Sequence, residues 1–422
     1  MNTRRSRVEI TYNDHDAAQI APYLMSFKYT DVASGSSDSI SLDLSDRDRH
    51  WIGGWFPRKG DALKPVIVLH NWDKENDETK RSCGKFIIDD FSFKGGPPIR
   101  LTIDALALPS TSGFKATERT YTYENSTIKE IGEQIAKRAG LKLVYDAPLR
   151  AIETVSQDKQ TDCSFLNDLV VKYGLALKIY NDRLVIFDEA VYESKAPVVT
   201  LRESDFEPGW SWNTKLTGTY TGVKYQYTHT KKDKTFTVNA GSGERILICD
   251  DEANNQTEAT IIALAKFNNA NKGTTTMKIT MRTPGKNIIS SNCVQIEGLG
   301  NLDGKYYVDE ATTTISDGTK TAYDLRKVEK RIVMQGDKPV IADNTPENET
   351  KKSSGQYSVG DKVRVQQGAT TYDGRKLASF VYTTVYVVTQ VGGKNLPADR
   401  IVISEQSGGV IAAVAADKLY RA

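Results

Sequence analysis

Cysteine, histidine and long apolar runs are all scarce in this chain of 422 residues, and each scarcity excludes something. Its four cysteines, Cys83, Cys163, Cys249 and Cys293, form no C-x-x-C pair, which leaves neither a zinc knuckle nor a disulfide framework and favours buried thiols in a reducing compartment. The four histidines, His15, His50, His70 and His229, make no H-E-x-x-H pair, so zinc-protease chemistry has no motif. No G-x-S-x-G elbow, P-loop or G-x-G-x-x-G is present, which removes the sequence basis for serine-nucleophile, nucleotide and dinucleotide chemistry. Apolar runs stay as short as Val66-Ile67-Val68-Leu69, so no bilayer span and no membrane anchor is expected. The basic start Met1-Asn2-Thr3-Arg4-Arg5 leads into alternating residues rather than the apolar stretch of a secretory signal. Charge of one sign is also lacking: 56 Lys plus Arg face 54 Asp plus Glu. A balance this even argues against sequence-specific nucleic-acid binding, which draws on a basic excess.

What is present is β patterning in blocks. Length alone predicts two to four domains. Over residues 1–109, runs such as Val8-Glu9-Ile10-Thr11-Tyr12, Ile40-Ser41-Leu42-Asp43-Leu44 and Ile99 through Ala105 alternate apolar and polar side chains. Several such strands with short turns predict a β-barrel or sandwich. Residues 110–197 change pattern. Thr127-Ile128-Lys129-Glu130 is a capping box, Ile128, Ile131 and Ile135 mark one helical face, and Gly140 closes the helix before an alternating strand. The same order recurs: Asp162 precedes a helix with Phe165, Leu166, Leu169 and Tyr173 inward, and Gly174 and another strand follow. Asn181-Asp182 then reads as a two-residue hairpin turn. This block is expected to be an α/β insertion.

Alternation returns over 198–335, with Val223, Tyr225, Tyr227 and His229 on one face and a helix over 255–270, and a second β domain is the economical reading. Residues 336–356 contain the polar run Asp343 through Gly355 and are expected to be a linker. Residues 357–422, short and β-patterned, predict a small separate barrel.

Candidate chemistry is thin. Cys163 falls in the first turn of a helix, and His229 is the only histidine downstream of it, a poor start for a cysteine nucleophile. The acids Asp89-Asp90 and Asp250-Asp251-Glu252 suit turns and helix starts better than a glycosidase cleft. Trp51, Trp55, Trp210 and Trp212 fit core or interface roles better than a sugar platform.

In their order, three stretches resemble the hub proteins of contractile phage tails: the late control gene D family, the Mu baseplate hub and the N-terminal part of VgrG-type spikes. They are Gly84 through Asp89 with Arg100 through Ala105; Ser156-Gln157 with Thr161 through Leu169 and Tyr173-Gly174-Leu175; and Ala263 through Phe267 followed by Met277 through Met281, Pro284-Gly285, Val294 through Gly298 and Asp303 through Val308. The resemblance covers residues 1 to about 335. It implies a mainly β fold with an α/β insertion: two tail-tube-like hub β-barrels over 1–109 and 198–335, with the insertion over 110–197 between them. It implies a non-enzymatic homotrimer whose six similar barrels form a pseudo-sixfold ring, joining a hexameric tail tube to a trimeric spike. Implied partners are the tail tube protein, the spike and the baseplate wedge and tape measure proteins. The implied place is the baseplate of a virion or phage-tail-like particle, after synthesis in the bacterial host cytoplasm. No cofactor, metal or catalytic residue is implied.

VgrG-type chains continue into a β-helical needle, whereas here the expected linker leads to a small barrel, so the spike is expected to be a separate protein. Tyr357 through Val365, with Gly368-Ala369, Tyr372-Asp373-Gly374 and Ala416 through Leu419, resembles SH3-like modules of phage tail and lytic proteins. That resemblance makes peptidoglycan a candidate partner and Tyr372, Tyr382 and Tyr386 candidate wall contacts, with core packing the competing role for Tyr386. Two alternatives remain at this level: a tail-associated peptidoglycan hydrolase using Asp89 or Asp251, and a host cell-wall adhesin using the last barrel.

Overall fold

The alternation of the first hundred residues becomes a run of antiparallel strands. A computed structural model describes residues 3–72, 74–109, 113–282, 288–335, 338–342, 357, 359–366, 368–382, 384–393, 396–405 and 409–421. The chain forms two units, Met1–Thr345 and Pro346–Ala422.

In the first unit, Arg5–Tyr12 pairs antiparallel with Ala62–His70, and Ser39–Ser45 lies between Leu24–Val32 and Arg100–Leu106. Phe86–Lys94 pairs with Arg100–Leu106 on its outer side. Inward-facing residues of these strands, among them Val8, Ile10, Phe27, Leu42, Leu44, Leu63 and Ile103, make one core. Each such Leu, Ile or Phe contributes about 1.5–3 kcal/mol by leaving water.

Leu24–Val32 has a second neighbour that no local pattern announces. Its outer side pairs with Gly304–Ile315, in register from Val32↔Glu310 to Phe27↔Ile315. From there the sheet continues through Thr319–Lys327 and Thr275–Met281 to Ser211–Thr214. Strands of both β regions thus join in one sheet, with fourteen strands among the described residues. Thr30 and Thr312 join hydroxyls across the seam at 3.2 Å.

The intervening segment folds as its punctuation predicts. Ile128–Ala139 starts on a complete capping box, the Glu130 amide donating to Thr127 Oγ1 and the Thr127 amide to Glu130 Oε2, and ends at Gly140 with φ 70°. The helix packs on a three-stranded sheet in which Lys142–Asp146 runs parallel to Arg183–Phe187, itself antiparallel to Ala176–Tyr180. Gly132 permits the close approach, because a β-carbon there would meet Ile186 Cδ1 at 3.0 Å. The Asn181-Asp182 turn has φ of 47° and 56°, the left-handed pair of a type I′ hairpin. Asp162, placed ahead of its helix by the sequence, is instead the first residue of Asp162–Lys172, and Thr161 is the cap. The Asp162 carboxylate is buried and bound by Arg138 at 2.8 Å and by Gln157 at 3.1 Å. Losing its hydration is offset by these partners, which a free cap would not have.

Residues 198–335 hold two cores rather than one. Gly222–His229, Lys234–Gly241 and Ile246–Cys249 form a separate three-stranded sheet covered by the helix Gln256–Asn271, which buries Ile262, Ala263 and Phe267 against Val223, Tyr225 and Val238. Met277, Ile279, Val294, Tyr306, Tyr323 and Leu325 belong to the other core, on the large sheet. The stretch 336–356, expected to be a linker, contains a strand. Lys338–Ala342 pairs antiparallel with Arg331–Gln335, because Val340 and Ile341 give that short run enough β character to extend a hairpin. The run Asp343 through Gly355 lies outside the described residues.

The second unit is a five-stranded antiparallel sheet in the order Val410–Ala415, Leu396–Ser404, Tyr386–Gly393, Lys362–Val365, Leu419–Arg421. Val363, Val365, Tyr386, Val388, Ile401, Ile403 and Val414 fill its core.

Candidate functional site

No catalytic constellation is assembled among the described residues. Cys163 packs against the insertion core, whereas His229 stacks edge-on with Tyr227 on the small sheet. Burial pushes the Cys83 thiol up to about 12 and the Cys293 thiol up to about 11, and raises Cys163 and Cys249 as well. Protonated thiols of this kind are poor nucleophiles. Asp89 is exposed on a strand of the large sheet, while Asp251 follows the small sheet and is ion-paired with Lys266. Among the described residues, no group of His, Cys, Asp or Glu could hold a metal ion. Trp51 is in the core, and Trp55 meets it edge-on at 5.6 Å; Trp212 donates to the Tyr306 hydroxyl at 3.0 Å, and Trp210 to Glu203 at 3.1 Å.

What the fold does assemble is charge, buried where the modules meet. Lys178, on the insertion strand Ala176–Tyr180, reaches across to the first β region. Its ammonium donates to Asp31 Oδ1 at 2.6 Å, the Val32 carbonyl at 2.7 Å and Ser290 Oγ at 3.0 Å, and lies 3.2 Å from Asp38 Oδ1. The Ser290 amide donates to Asp31 Oδ2 at 2.9 Å, so three separate stretches of chain share one site. Two carboxylates with one ammonium leave a surplus negative charge. Burial pushes the Asp38 carboxyl up to about 6; Lys178 opposes the shift and Asp31 adds to it. Asp38 Oδ2 is buried with no hydrogen-bond partner.

A second network is balanced. Arg326, on Thr319–Lys327, donates to Asp309 Oδ1 at 2.8 Å and to Glu193, and lies over the Tyr307 ring at 4.1 Å. Arg331 grips the same Glu193 through both carboxylate oxygens, at 2.5 and 2.6 Å. Glu189, one turn earlier on the short helix Glu189–Ser194, binds Lys272 at 2.6 Å and accepts from Ser34 Oγ at 2.8 Å. Burial opposes ionisation of Glu189, yet Arg326 and Lys272 outweigh it and hold its carboxyl down to about 2. Three cations and three carboxylates tie the insertion, the helix Gln256–Asn271 and the large sheet together. An open cleft of about 470 Å³ lies beside this network, lined in part by Lys272, Lys278, Asp309 and Arg326.

Sequence reasoning missed both clusters. In Thr319–Lys327 the inward alternation of Thr321, Tyr323 and Leu325 assigns Arg326 to solvent, but the Glu189–Ser194 helix covers that side. Only the distant partners would have revealed it.

Of the three candidate wall contacts, Tyr386 is buried in the core of the second unit and presents no face to a ligand. Its inward position follows from alternation with Val388 on one strand. Tyr382 is half-buried and donates to the Ala369 carbonyl at 2.8 Å. Tyr372 is half-buried as well, its exposed hydroxyl donating to Asp399 at 2.9 Å.

No protein-family model matches this chain, and no curated protein matches it. Its fold is similar to solved structures. One is a tail protein from Neisseria meningitidis MC58, 13% identical with a TM-score of 0.59, covering 76% of this chain and 96% of that one. Another is the 43 kDa tail protein of prophage MuSo2 from Shewanella oneidensis, 12% identical with a TM-score of 0.60, covering 76% of this chain and 98% of that one. The chain therefore has the mainly β, multi-sheet fold of phage tail proteins.

Proposed function

We propose that this protein is a structural component of a contractile tail or related injection particle, serving as its baseplate hub. Three copies form a ring of pseudo-sixfold symmetry that meets the hexameric tube on one side and the trimeric spike on the other, with the wedge and tape measure proteins as neighbours. The observation that supports this most is the seam between Leu24–Val32 and Gly304–Ile315, which makes one rigid wall from two β regions, in a fold shared with tail proteins. The buried ionic networks add to the same mechanical reading. They fasten the insertion to that wall with directional, charge-assisted hydrogen bonds rather than with sliding apolar contact. The role is to transmit load, not to catalyse a reaction.

The test is the copy number of the chain in purified tail particles, by quantitative mass spectrometry against the tube protein. Three copies per particle support the hub; absence from the particle removes it. A second reading concerns the Pro346–Ala422 unit, taken as an SH3-like module that holds peptidoglycan. The exposed hydroxyl of the half-buried Tyr372 favours it. Co-sedimentation of the full chain with purified walls, compared with a chain ending at residue 345, decides it: equal sedimentation of the two rejects wall binding.

A further inference from the structure

Where the insertion meets the first β region, two buried carboxylates share one ammonium, and one of them goes short of hydrogen bonds. A lysine ammonium has three N–H donors. Those of Lys178 go to Asp31 Oδ1, the Val32 carbonyl and Ser290 Oγ. Asp31 is well supplied, since the Ser290 hydroxyl and amide both donate to it, at 2.6 and 2.9 Å. Asp38 has only the ion pair with Lys178 at 3.2 Å and the Val32 amide, which donates to its Oδ1 at 3.0 Å. The residue is fully buried, and its Oδ2 has no hydrogen-bond partner.

The other titratable groups around the pair do not supply the missing charge. Tyr29 on Leu24–Val32, Tyr180 on the insertion strand and Tyr323 on Thr319–Lys327 are phenols pushed up mainly by burial, so they stay neutral. Cys83, just after the strand Glu78–Ser82, is a buried and protonated thiol. Arg81 on that strand is half-buried and lies over the Tyr29 ring at 5.7 Å; among the described residues it forms no ion pair with Asp31 or Asp38. Ionising both carboxylates therefore sets two negative charges against one ammonium in a buried site, a cost that a proton on Asp38 removes.

The same site is a seam. Ala176–Tyr180 is the edge strand of the insertion sheet, and its outer side meets residues 33–38. There the backbone contributes the Gly35 amide, donating to the Leu177 carbonyl at 3.2 Å, and one bridge between Ser37 and Ile179. Asp38 is anchored on the opposite side, its carbonyl accepting from the Ala107 amide at 2.9 Å. A cavity of about 330 Å³ borders the seam, lined in part by Asp31, Arg81, Lys178, Tyr180 and Ser290, and leaves the edge room to part. We propose that this junction is a pH-operated latch: with Asp38 protonated, Lys178 holds the insertion edge on residues 33–38, and ionisation of Asp38 drives the seam open to hydrate the carboxylate. The opening is local, because the capped helix Ile128–Ala139 makes no contact with Asp38. The latch is a property of the fold and stands or falls apart from the hub reading.

The Asp38 carboxyl stands at about 6 against an ordinary 3.8, so the closed seam is most stable in acid and loses stability as pH rises through 6. From pH 5 to pH 7.5 this coupling raises the opening equilibrium about tenfold. The test is hydrogen exchange of the full chain by mass spectrometry at several pH values across that range, with rates corrected for the intrinsic pH dependence of amide exchange. A peptide covering residues 32–38, which contains the Val32 and Gly35 amides, should lose about tenfold in protection with a midpoint near pH 6, while peptides within Ile128–Ala139 keep theirs. Asp38→Asn should remove the step and hold the peptide at its acid level. Asp31→Asn, which leaves Lys178 to Asp38 alone, should shrink the step. Equal protection of the wild-type peptide at both ends of the range overturns the latch without any variant. A loss shared by Ile128–Ala139 also overturns it, since the opening is then global, as does a step that persists in a folded Asp38→Asn chain, since another group then drives it.

Discussion

Arg326→Met tests whether the balanced ionic network holds the modules together. The substitution keeps much of the side-chain length and removes one of three cations, leaving Glu189, Glu193 and Asp309 with only Lys272 and Arg331. Breaking a buried pair by removing one partner costs about 3–5 kcal/mol, because a carboxylate is left desolvated without compensation. Unfolding entropy near 2.1 cal/mol/K per residue gives about 0.7 kcal/mol/K for a unit the size of Met1–Thr345, so Tm should fall by about 4–7 °C. The pH dependence supplies a second readout. Glu189 is held down to about 2 against an ordinary value of 4.5, so its contribution is present above about 4.5 and is lost as pH falls towards 2. In Arg326→Met that carboxyl rises towards its ordinary value, so the acid-side loss of stability tied to it should be smaller and should end at higher pH. The assay is urea unfolding at pH 7.5 and pH 4. Adding Glu193→Gln to Arg326→Met should recover part of the loss, since it removes the carboxylate that Arg326 served. The reasoning is refuted if Arg326→Met lies within 1 kcal/mol of wild type, or if the double variant is as unstable as the sum of the singles.

Other outcomes follow from the same coordinates. Asp38→Asn keeps an oxygen for the Val32 amide and for Lys178 but removes the carboxyl raised to about 6. In wild type that group's stabilisation is full below about 3.8 and is lost as pH rises through 6, so the variant should gain about 1–3 kcal/mol on wild type between pH 4 and 7.5, measured by urea unfolding. Ile103→Asp and Leu325→Asp place a charge in the cores of the two β regions and should each abolish soluble expression; soluble, folded protein would contradict the strand assignments. Gly241→Ala should cost more than 2 kcal/mol, because Gly241 has φ 76° and a β-carbon would meet the Thr221 carbonyl at 2.3 Å; a melt unchanged within 1 °C would refute it. Tyr372→Ala should leave the melt within about 1 kcal/mol of wild type, its hydroxyl bond being at the surface, while reducing wall co-sedimentation if that tyrosine contacts peptidoglycan.

Features carried by neighbouring residues were legible in the sequence. Thr127 with Glu130, Gly140, and the Asn181-Asp182 turn each fix a few dihedral angles through local hydrogen bonds or left-handed conformations. The inward positions of Ile103 and Leu325 followed from period-two alternation. Pairings across great sequence distance were not legible. Nothing in Leu24–Val32 selects Gly304–Ile315 over any other strand, and nothing near Asp162 announces Arg138 as its partner. Lys178 and Arg326 look like surface cations on their strands, and only the elements laid over them make them interior. The polar composition of 336–356 concealed a strand because Lys338 and Pro339 precede its two apolar residues.

The seam between the two β regions also sets a schedule for synthesis. Leu24–Val32 leaves the ribosome early but cannot complete its sheet until Ile315 has been made, roughly 280 residues later. At about 5–20 residues per second, that wait is about 14–56 s, during which the edge of the nascent strand stays open. A chain broken off before residue 304 lacks the partner strand altogether. Only a polypeptide translated past that point can close the wall, so the fold itself screens out truncated chains.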